Sequence, residues 1–115
     1  MIRIDSIRQK RCQEMYLALC THAANRTGCD FEGLSGRLRD ARTCRVRSCV
    51  LIVMREQGYK YLEIAIASER EYTTIYNAFQ SFLKNAQEYE GMWALVRELR
   101  DVAAELEDRE IVHNV

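Results

Sequence analysis

The sequence predicts an all-α fold: a small helical bundle that contains a helix-turn-helix and carries an extra amphipathic helix at its C-terminal end. Three observations lead there. The 115 residues include no Pro and only five Gly, too few turn formers for a β-sandwich or barrel. Apolar residues recur at three- and four-residue spacing along most of the chain. Two short helical segments, near residues 61–67 and 71–85, are separated by a tight break, as in a helix-turn-helix. A chain of this length holds one core but not a catalytic domain plus a regulatory one. With 48% hydrophobic and 30% charged residues it is too apolar to stay disordered.

The first helix starts at Asp5 or Ser6, either of which can cap it. Ile7, Met15, Tyr16, Leu19, Cys20 and Ala23 line one side, and Thr27 and Gly28 end it. A single helical turn around Phe31 and Leu34 follows. The most basic segment comes next, with Arg37, Arg39, Arg42, Arg45 and Arg47 opposed only by Asp40. From about Thr43 to Gln57 the apolar circumference of Val46, Cys49, Val50, Val53 and Met54 implies a central helix, with Gly58 as its C-terminal cap. Tyr61 to Ala67 is a short helix and Ser68 to Arg70 breaks it. From Glu71 to Asn85 a further helix places Ile75, Ala78, Phe79 and Phe82 on one face.

From Tyr89 onward the pattern Tyr89, Met92, Val96, Leu99, Ala103, Leu106 is an a/d heptad, widened by Trp93, Leu95 and Val102. Two readings fit it. Tyr89, Met92, Val96, Leu99 and Leu106 form the seam of a homodimer, or the helix folds back on its own domain. The chain thus divides into a helix-turn-helix domain over residues 1–87 and an acidic helix and tail over 88–115.

The charge is uneven. Lys plus Arg and Asp plus Glu number 17 each, yet residues 1–50 carry ten basic against five acidic residues and residues 88–115 carry three against eight. A basic first half suits an anionic partner, with the acidic end pointing elsewhere. Five Cys is an odd number, and no pair has zinc-knuckle spacing, so Cys12, Cys20, Cys29, Cys44 and Cys49 read as free thiols with no metal. No signal-peptide pattern or run of about 18 apolar residues is present, which points to a cytoplasmic protein with no membrane partner.

If Ile75, Ala78, Phe79 and Phe82 face inward, Thr73, Thr74, Asn77, Gln80 and Lys84 fall on the opposite face. All five are side chains that DNA readout uses: Thr for phosphate and the thymine methyl, Asn and Gln for adenine, Lys for phosphate. The helix N-terminus adds its partial positive charge.

Arg70-Glu71-Tyr72-Thr73-Thr74-Ile75, with Ala78 three residues on, resembles the signature of the DNA-binding C-terminal domain of the bacterial replication initiator DnaA, Arg-Asp-His-Thr-Thr-Val followed by Ala. Leu62-Glu63-Ile64-Ala65 is similar to that family's Leu-Pro-Glu-Ile-Gly with one residue deleted, and Arg45-Val46-Arg47 to its Arg-Pro-Arg. Phe31 to Arg42 resembles its short helix and basic loop, and the likeness spans about residues 4–85.

The resemblance implies a fold of the Trp-repressor type and sequence-specific binding of double-stranded DNA. It implicates Arg70, Glu71, Tyr72, Thr73 and Thr74 in the major groove, and Arg39, Arg42, Arg45 or Arg47 in the neighbouring minor groove. Glu71 and Tyr72 depart from the family's Asp and His, which changes the reach of an acceptor and removes an imidazole. No phosphate-binding loop of the Gly-x-x-x-x-Gly-Lys-Ser/Thr type occurs. The expectation is therefore a transcription regulator or a competitor at initiator sites, of a kind that suits a phage or mobile element.

The alternative is a protein-interaction module that kept the fold and lost DNA binding, favoured by Glu69 and Glu71 beside the reading face. An enzyme acting on a small-molecule substrate is not expected, because His22 and His113 lie far apart without motif partners and no Ser or Cys sits in a nucleophile motif.

Overall fold

The computed structural model describes residues 5–37, 40–85 and 91–113, the last six of them by backbone only. Six α-helices carry the described chain: α1 (Ser6–Thr27), α2 (Phe31–Ser35), α3 (Ala41–Glu56), α4 (Tyr61–Ser68), α5 (Tyr72–Lys84) and α6 (Trp93–His113).

Short-range chemistry sets most of these boundaries. The Asp5 carboxylate accepts from the N–H groups of Ile7 and Arg8 at 3.1 Å each, and Asp30 caps α2 through Gly33 N at 3.0 Å. Asp40 accepts from Thr43 N at 3.0 Å, so α3 starts two residues earlier than its apolar pattern suggests. Contact with Thr43 also holds the Asp40 carboxyl below its ordinary range. At the other ends, Gly28 and Gly58 take φ of 78° and 92°, left-handed values that favour glycine. At the start of α4 the Glu63 carboxylate accepts from Lys60 N at 2.7 Å.

Packing is organised around α3. Residues from Val46 to Met54 are buried without a break, and α3 touches every other helix. The long helices α1 and α6 lie against it and against each other. On α1 the buried stripe is Cys12, Met15, Tyr16, Leu19, Cys20 and Ala23.

On α6, Leu95, Val96, Leu99 and Ala103 join that same core, the last three with no exposed surface. In the single chain this stripe therefore faces the protein's own core. Val96 and Leu99 are enclosed by the chain's own helices, and Met92 and Leu106 pack half-buried against the same cluster. Tyr89 lies outside the described residues. Within the described residues, α6 supplies one wall of the large apolar cluster.

Cys12, Cys20 and Cys49 are fully enclosed, while Cys29 and Cys44 are half-buried. Burial pushes the Cys12 and Cys49 thiols up to about 12 and that of Cys20 to about 11. A thiol whose folded pKa is raised contributes stability that is complete below its unfolded value. That contribution is lost as pH rises toward the folded value, by up to about 1.4 kcal/mol per pH unit per thiol. Stability should therefore hold to about pH 8 and fall steeply between pH 9 and 11. A maleimide should label Cys29 and Cys44 promptly in the native protein and the other three only on unfolding. Equal labelling of all five would refute this packing of α1 and α3.

Candidate nucleic-acid interface

Between α4 and α5 the chain turns in three residues, Glu69, Arg70 and Glu71. Glu69 takes a φ of 55° to close α4, and Arg70 N donates to Ala65 O at 2.9 Å. A left-handed Glu costs about 1 kcal/mol, which the closing hydrogen bonds offset. The 8-residue α4 is thereby joined to the 13-residue α5 by a tight connection.

Three faces run along α5. Ile75 and Phe82 are buried, with Ala78 and Phe79 half-buried beside them. The polar face presents Thr73, Thr74, Asn77, Gln80 and Lys84, all exposed. With α6 in place these side chains stay open, although Trp93 at the start of α6 meets Phe82 edge-on at 5.3 Å.

The third face is aromatic. Tyr72, Tyr76, Phe79 and Leu83 follow 4-3-4 spacing, and Tyr72, Tyr76 and Leu83 are 48%, 43% and 57% exposed. The Tyr61 ring of α4 meets those of Tyr72, Tyr76 and Phe79 edge-on at 5.7, 5.6 and 5.9 Å. The Arg55 guanidinium lies 4.6 Å over Tyr61. Sequence reasoning missed this stripe, although its spacing was legible once the inward face was assigned.

The arginines divide into two groups. Arg37 and Arg42 are exposed and Arg45 is half-buried. Arg42 donates through Nη2 to Thr27 O at the end of α1. Arg39 lies outside the described residues. Arg47, expected from the resemblance in a groove-binding loop, is 7% exposed and donates to backbone carbonyls of α2. Desolvation, and after it the nearby Arg70 charge, lower its pKa. Arg70 is half-buried and its guanidinium is engaged with Tyr16, Ser68 and Gly36. Glu69, Glu71 and Tyr72 are exposed at the start of α5, so acids flank the N-terminal end of the polar face.

Among the described residues no group of three His, Cys, Asp or Glu could hold a metal ion, and no helix is long and apolar enough to cross a membrane. His22 Nε2 stands 4.0 Å from Glu98 on the α1–α6 side, away from α5. The chain matches no family model, curated protein or solved structure. Its likeness to the initiator domain thus rests on the residues quoted from the sequence.

Proposed function

We propose that the chain binds double-stranded DNA through a helix-turn-helix formed by α4 and α5, and that it acts as a transcription regulator or as a competitor at initiator sites. The observation that carries this reading is the polar face of α5. Thr73, Thr74, Asn77, Gln80 and Lys84 are exposed together on a helix whose Ile75 and Phe82 are anchored in the core. A rigidly held helix with free hydroxyls and amides is what base-edge recognition needs. Arg37, Arg42 and Arg45 add positive charge, and the initiator-like signature runs from Arg70 into this helix.

Fluorescence anisotropy on random and selected duplexes over a salt series tests the proposal. Affinity for random duplex should fall linearly in log salt, with a slope of about −0.9 per phosphate contact. Replacing Thr73 and Thr74 together by Ala should weaken the selected site by roughly 1–3 kcal/mol per lost base contact, with an unchanged helical spectrum. Unaltered affinity in that variant would take α5 out of the reading role.

A second reading is favoured by the aromatic face: Tyr72, Tyr76 and Leu83 offer apolar contact area to a protein partner, with Glu69 and Glu71 alongside. Absence of duplex binding even at 50 mM salt would transfer the function to that face.

A further inference from the structure

Gly33, Leu34, Ser35 and Gly36 close α2, and the last carbonyls of a helix have no partner within it. Each of these four takes a side-chain donor from another part of the fold. Arg47 of α3 donates from Nη2 to Gly33 O and from Nε to Leu34 O, both at 2.8 Å. Tyr16 Oη of α1 donates to Ser35 O at 2.8 Å, and Arg70 Nη2 donates to Gly36 O. Arg70 Nη1 also reaches Tyr16 Oη at 3.0 Å and Ser68 O at 2.9 Å.

The cluster is partly enclosed. Tyr16 is 2% and Arg47 7% exposed, so water competes poorly for the Arg47 bond to Leu34 O, while Arg70 and Gly36 stand half-buried at its edge. Gly36 belongs to it sterically as well, because a Cβ there would stand 2.5 Å from Glu32 O. A planar guanidinium with donors in fixed directions suits three acceptors at once, which a single ammonium does not.

We propose that Arg70 is a positioning residue, fixing the start of the Arg-rich segment at Gly36 and Arg37 against the turn that leads into α5, and that it does not itself contact phosphate. The effect on binding rests on the DNA reading above. With both segments held in register, little ordering is left to be done when they meet a duplex, so affinity depends on Arg70 through geometry.

The test uses the full chain as wild type, Arg70→Lys, Tyr16→Phe and Gly36→Ala, each checked for its helical spectrum and cooperative melt. Trypsin cleavage after Arg37 is timed without DNA, with cleavage after Arg97 as the internal control. Duplex affinity is measured over a salt series. Arg70→Lys should lose at least about tenfold in affinity with its salt slope unchanged, because the charge is kept. Its cleavage after Arg37 should accelerate several-fold while cleavage after Arg97 does not change. Tyr16→Phe should move both readouts in the same direction by less, and it carries the test if Arg70→Lys does not fold. Gly36→Ala should repeat the pattern from the backbone side.

Rescue of affinity by Lys to within twofold of wild type would overturn the proposal, since phosphate contact needs only the charge. A wild type that binds no duplex would refute the DNA reading and leave the cleavage measurement to decide the clamp. In that case an unchanged rate after Arg37 overturns it and a faster one sustains it.

Discussion

Leu99→Ala is expected to lower the stability of the protein by about 2–5 kcal/mol, and Leu99→Asp to abolish its cooperative melt. Leu99 has no exposed surface and stands with Val96 and Ala103 on the face of α6 that closes the core over α1 and α3. Truncation removes the transfer free energy of the deleted atoms and opens a cavity that three packed helices cannot easily collapse. An aspartate there would be a charge without a partner in an apolar interior. The Ala variant also separates two roles for the heptad. If the stripe belongs to the chain's own core, light scattering gives the same mass for wild type and variant while the melting temperature drops. A variant that melts like wild type but has half its mass would mean that the stripe is an intermolecular seam.

Arg47→Ala is the second large effect, about 2–4 kcal/mol by denaturant titration. Two charge-assisted bonds to Gly33 O and Leu34 O disappear, and the Leu34 carbonyl is left in the protein interior with no replacement donor of the same reach. Arg47→Met tests the cause. It restores much of the lost volume without the donors, so it should recover only a minor part of the loss. Full recovery by Met would show that packing of the Arg47 stem, not hydrogen bonding at α2, accounts for the effect.

Surface ion pairs contribute on a smaller scale. Arg26 meets Glu98 at 3.0 Å, and Arg100 meets Glu56 at 2.9 and 2.7 Å through Nε and Nη2. These partly exposed pairs join α6 to α1 and α3, with the acid on α6 in the first and the base on α6 in the second. Each is worth up to about 1 kcal/mol, and less in salt. They orient α6 and add little to the apolar contacts beneath it.

The sequence by itself determined the order of the helices and most of their boundaries, because the determinants are local. Asp5 is a cap visible within a few residues of the N–H groups it accepts, and Gly28 and Gly58 supply left-handed stops where they stand. The inward stripes of α1, α3 and α5 follow from 3.6-residue periodicity, apart from Ile7, which is 70% exposed at the start of α1. The polar face of α5 was legible for the same reason. Only the tertiary structure decided which arginines remain available to a partner. A backbone carbonyl is the same acceptor in every residue, so nothing in the order of residues marks Arg47 for Gly33 and Leu34 or Arg70 for Gly36. The heptad on α6 posed the same problem, since spacing that faces a second copy and spacing that faces the chain's own core are identical in sequence. Only the structure shows that α1 and α3 leave an apolar surface that α6 covers within the single chain.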